Sequence, residues 1–342
     1  MKMSPYHLAA LAVVAVDGLN AVSIRGPYSS SPDFIFGGVL DSRGKHWVVK
    51  VPRNSHASTV IEAEAGLSPV LVDRLRQGQL PFDVMRPAGF APLTNGRAIV
   101  YPQPLGKTFD FDSLTIDQAH ELGRTLATIH QLDPATITDA GMPAYDSETV
   151  RKRLLTELTD ANATGSVPAI LNRRWENAVE NTELWSFTPR VVHGDIAPDN
   201  ILWSEDHVSC VLGFGEAHVG DPAYDFALLM SGIDESLFDA IVESYRNSLA
   251  DDLDEHFFTR TVLLSEIALA RWLMFGVRNS DHSIIHEAKE MMNELAEEIS
   301  ADPDLAPGPV WEVDSVDTDL PIEDASEAGF HTRDDDESAA IL

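Results

Sequence analysis

The chain has 342 residues, 44% of them hydrophobic, enough to bury one large core or two lobes around a cleft. With 55 acidic against 24 basic residues its formal charge is −31, which repels a polyanion over most of the surface and argues against nucleic acid as a partner. The single cysteine, Cys210, excludes an internal disulfide and an all-cysteine metal site.

The acidity itself reads as solubility or adaptation to salt, although such a field also collects cationic small molecules. Near the N-terminus, the apolar run from Leu8 to Val16 follows only Lys2 and is too short to span a bilayer. It is expected to be a short surface helix leading into the domain. No other segment approaches transmembrane length, so the expectation is a cytoplasmic protein without membrane contact.

After that helix, Ala21 to Arg25 and Asp33 to Leu40 read as extended. Asp41-Ser42-Arg43-Gly44 makes a turn before a strand from His46 to Val51 that carries Lys50. Ser58 to Arg76 has helical periodicity through Ile61, Ala65, Val70 and Leu71, with carboxylates at Glu62 and Glu64; Gly66 and Pro69 predict a kink or a break near Ser68. A further strand, Arg97 to Tyr101, runs into Pro102, Pro104 and Gly106, which suits a link between lobes. The expected division is therefore an N-terminal lobe over 1–105 and a C-terminal lobe over 106–300.

Thr115 and Gln118 form a capping box for a helix whose Ala119, Leu122, Leu126 and Ile129 share one face, ending near His130. Helices are expected over Ser147 to Asn162 and Ile170 to Thr182, and a strand over Val208 to Leu212 that buries Cys210. The main segments beyond are Leu237 to Leu249, Phe257 to Arg278 and His282 to Ile299. From Ala301 to Leu342 the composition turns to Asp and Glu with one Arg and no Lys, which predicts a disordered or loosely packed acidic tail.

The chemistry concentrates in VVHGDIAPDNIL, Val191 to Leu202, where a carboxylate at Asp195 and a carboxamide at Asn200 have the spacing of a kinase catalytic loop. Phosphoryl transfer needs a carboxylate at the attacking hydroxyl, a metal on the phosphate oxygens and a cation on the nucleotide. Asp195, Asn200 and Lys50 suit those three tasks. Glu64 is the first choice to hold Lys50 and Glu62 the reserve; two residues apart on a helix, only one of them can make the contact. Tyr101 joins Lys50 and Glu64 as a candidate on the nucleotide side. His193 is either a direct participant in catalysis or an anchor for the backbone, and Gly194 allows a close turn around the carboxylate.

In this order, WVVKVPR with Lys50, the helix with Glu64, HGDIAPDN and GDPAYD, the chain resembles the aminoglycoside and macrolide phosphotransferase family over most of Trp47 to Asp225. The resemblance implies an α+β, bilobal, protein-kinase-like fold, with Mg2+ as metal and GTP or ATP as phosphate donor. The macrolide branch is suggested by WVVKVPR with EAEAGL, by Asp139-Ala140-Gly141 and by the helix with Leu273, Phe275, Gly276 and Val277. It implies a macrolide phosphorylated on its 2'-hydroxyl. An aminoglycoside is the alternative acceptor, and no protein partner is inferable.

One position departs from the family pattern. Where it has a metal-binding aspartate this chain has Gly213, which offers no side-chain ligand. Two readings therefore stand: an active antibiotic kinase, and a kinase-like protein that binds nucleotide or macrolide but is impaired in transfer. Asp221 and Asp225 are expected to brace loops rather than bind metal. Trp272 and Phe275, with Met274, are the candidates for an apolar acceptor wall.

Overall fold

The computed structural model describes residues 3–230 and 232–301. Beyond Ala301, the segment expected to be an acidic tail lies outside the described residues.

Helix α1 (Pro5–Ala15) starts at Ser4, whose hydroxyl accepts from the His7 amide. It leads into β1 (Ala21–Ser30), β2 (Phe34–Asp41) and β3 (His46–Pro52), joined by the predicted turn. Asp41 shapes that turn by accepting from the amides of Arg43 and Lys45 and from the Trp47 indole. With β5 (Gly89–Pro92) and β6 (Arg97–Pro102) these strands build an antiparallel sheet ordered β1-β2-β3-β6-β5. Leu8 and Ala12 of α1 bury against Val39, Val49, Val51 and Val100 on one face of it. Side chains alternate along a strand, so Lys50, between Val49 and Val51, faces the opposite side.

That side is covered by α2 (Ser55–Arg76), three residues longer at its start than the sequence pattern predicts because Asn54 is its N-cap, accepting from the Ala57 amide at 2.8 Å. The helix is one continuous element through Pro69, so the predicted break near Ser68 is absent. Packing of Ile61, Leu67 and Leu71 holds its face in place.

The helical part opens with α3 (Ile116–His130), where both halves of the capping box form. Next come the short α4 (Ala135–Thr138), then α5 (Ser147–Ala163) and α6 (Ala169–Glu180). A set of short strands follows: β7 (Arg190–Val192), β8 (Ile201–Ser204), β9 (His207–Val211) and β10 (His218–Gly220). β7 pairs with β10, while β8 and β9 form a hairpin that also takes β4 (Asp83–Val84) in parallel. Helices α7 (Ala223–Met230), α8 (Glu235–Ser248), α9 (Phe257–Asn279) and α10 (His282–Ala301) complete the described chain. Phe226 sits at the centre of their core, its ring 4.7 Å from Tyr245 and 5.2 Å from Phe257.

The architecture is the kinase-like mixture of antiparallel sheet and helices that the motif order implies. Lys107 exchanges backbone hydrogen bonds with Trp203 at 2.9 and 2.8 Å, tying the segment after β6 to the β8–β9 hairpin. Among the described residues no helix is long and apolar enough to cross a membrane.

Candidate active site

β3 delivers Lys50 and α2 delivers Glu64 to one point. The ammonium donates to both carboxylate oxygens, at 2.9 and 2.8 Å, with the side chains only 9% and 3% exposed. The Phe34 ring lies 4.2 Å from the same nitrogen. Glu62, the reserve partner, points elsewhere and holds Arg97 in a two-pronged pair. Tyr101 reaches the same place from β6, where it pairs with Val48. Burial, reinforced by the charge of Glu64, raises its phenol well above the ordinary range.

These groups line a cavity of about 340 Å³. Val48 and Met85 give it an apolar wall from the sheet side, and Leu202 and Leu212 another from the β8–β9 side. Asn200 and Gly213 close the end nearest the catalytic-loop candidate.

In that loop Asp195 is exposed, and the Asn200 amide donates both to its carboxylate, at 2.9 Å, and to its carbonyl, at 2.8 Å. The loop is pinned from beneath. Asp225, fully buried, accepts from the amides of His193 and Gly194 at 2.8 Å each, and His130 lies 3.0 Å from it. Burial would raise this carboxyl, but the hydrogen bond and charge of His130, with His193 and the Gly194 amide, outweigh it and hold the group below the usual aspartate range.

His193 is fully buried, with Nε2 2.7 Å from the Leu212 carbonyl and Nδ1 accepting from the Asp195 amide. Its edge packs on Phe214. Both ring nitrogens are thus engaged within the protein, and of the two roles expected for His193 the geometry matches the anchor, not contact with a substrate. Gly194 has φ +84°, and a Cβ there would lie 3.0 Å from the Glu216 carbonyl carbon. Asp221 is bound to the buried Arg260 at 2.7 Å and is likewise structural in its contacts.

Gly213 has φ +82°, and a Cβ there would meet the Asn200 side chain at 2.6–2.7 Å. Position 213 supplies no carboxylate, while Asn200 donates to Asp195 through its nitrogen and so keeps its side-chain oxygen as the one expected ligand. Among the described residues no three His, Cys, Asp or Glu side chains cluster as a metal site. Of the carboxylate-and-amide pair expected to hold magnesium, only the amide of Asn200 is present.

A second cavity adjoins the loop at Gly194 and Glu216 and continues into a third, the two sharing Arg153, Glu157, Tyr224 and Arg271. Burial raises the carboxyl of Glu216, His56 opposes this, and Asp195 and Asp33 add to it. Trp272 and Phe275 do not line either cavity; they stack on one another with centroids 5.3 Å apart. Met274, expected beside them, does line the third cavity, together with Arg271 of the same helix. Sequence reasoning did not bring this trough together, although Gly194, Asp221, Tyr224 and Met274 on its walls lie in segments it singled out.

Residues 39–258 match the phosphotransferase enzyme family, APH. A curated relative, the uncharacterized protein YcbJ of Bacillus subtilis (strain 168), is 25% identical over 211 residues, 60% of this chain and 69% of its own. Among solved structures, apo macrolide 2'-phosphotransferase MphH from Brachybacterium faecium superposes with a TM-score of 0.67 at 18% identity, covering 81% of this chain and 94% of that one. The GDP and kanamycin complex of APH(2")-IIia gives a TM-score of 0.71 at 20% identity, with 84% and 97% covered. At such identities these likenesses establish the fold.

Proposed function

This chain belongs to the phosphotransferase enzyme family, and from that premise we propose that it moves the γ-phosphoryl group of GTP or ATP onto a hydroxyl of a small-molecule alcohol. The observation that carries the reading is that the Lys50–Glu64 pair and the Asn200 that holds Asp195 open on one cavity. The apolar walls from Val48 and Leu202 suit the two faces of a flat base, and the Lys50 ammonium suits the phosphates beyond it.

In the proposed step the acceptor oxygen forms a bond to the γ-phosphorus, and the bond from that phosphorus to the β–γ bridging oxygen breaks. The nucleoside diphosphate leaves with that electron pair, and the hydroxyl proton passes to Asp195. Asn200 fixes the carboxylate that takes the proton. His193 and Asp225 hold the loop without touching the reactants.

The acceptor named by the sequence resemblance is the 2'-hydroxyl of a macrolide, with an aminoglycoside as the alternative; support for either is that resemblance and the fold of antibiotic-modifying neighbours. Gly213 favours the second reading, nucleotide binding with impaired transfer, since it removes a charge that positions phosphate oxygens. An assay crossing ATP and GTP with a macrolide and an aminoglycoside, read by mass spectrometry for a gained phosphoryl group, tests the proposal. Transfer supports the kinase reading; nucleotide binding without transfer to any alcohol supports the impaired one.

A further inference from the structure

The trough beside Gly194 sets arginines among its carboxylates, Glu157, Asp160, Glu216 and Asp221. Only 24 of 342 residues are Lys or Arg, yet Arg153, Arg271 and Arg278 converge on it together with His56. Its carboxylates are largely spoken for. Glu157 is bound to Arg271 at 2.9 Å, Asp221 to Arg260 at 2.7 Å, and Glu216 lies 3.3 Å from His56. Asp160 is the exception, exposed on the wall of the outer part.

Among the cations, Arg271 is fixed by Glu157 and lies over the Tyr224 ring at 5.0 Å. Arg153 is different. Its guanidinium lies over the Tyr145 ring at 4.4 Å and makes no ion pair among the described residues, so its hydrogen-bonding fork is presented to the trough. An ammonium group placed at Tyr145 would meet the guanidinium of Arg153, which among the described residues has no carboxylate to offset it. A guanidinium fork matches carboxylate and phosphate oxygens in geometry and charge. The overall charge of −31 does not cancel this, because salt screens distant charges beyond about 8 Å while the contact with Arg153 is direct.

We infer that the acceptor is an anionic alcohol, a hydroxylated carboxylate or a sugar phosphate, whose acidic group is held by Arg153 while its hydroxyl lies toward Asp195. This deepens the phosphotransfer reading and rests on it for the fate of the hydroxyl, but not for binding. Tyr145 and Tyr224 also line the path, each ring carrying one of the two guanidinium groups.

The test uses the full chain loaded with nucleotide, at fixed salt, and four probes: gluconate, ribose phosphate, glucose and glucosamine. Calorimetry reads binding, and labelled γ-phosphate reads transfer. At least one anion is expected to bind about tenfold or more tighter than glucose and glucosamine, and Arg153→Gln is expected to remove that preference. The neighbouring Lys152→Gln, outside the trough, serves as control and is expected to keep it. Gluconate against ribose phosphate separates a carboxylate from a phosphate ligand. Anion binding without transfer supports this inference and counts against the proposed reaction. Binding of none of the probes, preference for glucosamine, or an anion preference that survives Arg153→Gln would each overturn it.

Discussion

Glu64→Gln separates the two jobs of the buried ion pair. In the wild type the Lys50 ammonium has a carboxylate at 2.8 Å and almost no water, since the two side chains are 9% and 3% exposed. Glutamine keeps the shape and one acceptor but removes the charge, leaving a buried cation uncompensated. Breaking a buried pair from one side costs about 3–5 kcal/mol, and the retained amide oxygen places this substitution near the lower end, about 3 kcal/mol. For a protein of this size that corresponds to a fall in Tm of roughly 4–5 °C. The double variant Lys50→Met/Glu64→Leu removes both charges and is expected to return to within about 1 kcal/mol of wild type, because two apolar side chains can replace a buried pair at little cost. It should still fail to bind nucleotide. Thermal unfolding by circular dichroism and nucleotide titration by calorimetry read the two effects separately. A Glu64→Gln variant as stable as wild type, or a double variant that binds ATP and GTP normally, would refute the reasoning.

Asp195→Asn, at an exposed position, should leave unfolding unchanged while lowering the transfer rate by about 10²–10⁴, measured in single-turnover assays with labelled nucleotide. Gly213→Ala should cost about 1–2 kcal/mol from its φ of +82° alone, and should also slow transfer because its Cβ displaces the Asn200 side chain from Asp195; chemical denaturation and the same assay check both. Asp225, held below its ordinary range, contributes stability that is complete above the unfolded aspartate pKa of about 3.9 and is lost as pH falls through the lower folded value. Asp225→Asn should therefore flatten the acid limb of a stability profile measured by denaturant unfolding between neutral and strongly acidic pH.

Much of this arrangement could be read from local pattern. The turn at Asp41 and the alternation through Lys50 announce a hairpin, and Thr115 with Gln118 announces α3, because turn chemistry and caps act over a few residues. That only one of Glu62 and Glu64 can meet Lys50 was also legible, since two residues apart on a helix point to different sides. What escaped was set by distant chain segments. The parallel pairing of Asp83 with Cys210 has no local signature, and neither does a trough made by Arg153 of α5 and Arg271 of α9. On α9, of the three residues expected to form an apolar wall, Met274 faces the trough, while the other two each follow a trough residue by one position and are turned about 100° from it. Arg271, Met274 and Arg278 take the trough face, while Trp272 and Phe275 stack beside it. His193 shows the same limit: the motif gives its place, but only the fold buries both its ring nitrogens against Leu212 and Asp195.

Photocrosslinking with azido-ATP, followed by peptide mapping, addresses the shared cleft most directly. Label on the peptides carrying Val48, Tyr101 or Leu202, displaced by excess ATP or GTP and absent from Lys50→Met/Glu64→Leu, is the predicted result. Label that maps to other surfaces, or that persists undiminished in the double variant, would contradict a nucleotide seated between the sheet and the catalytic loop.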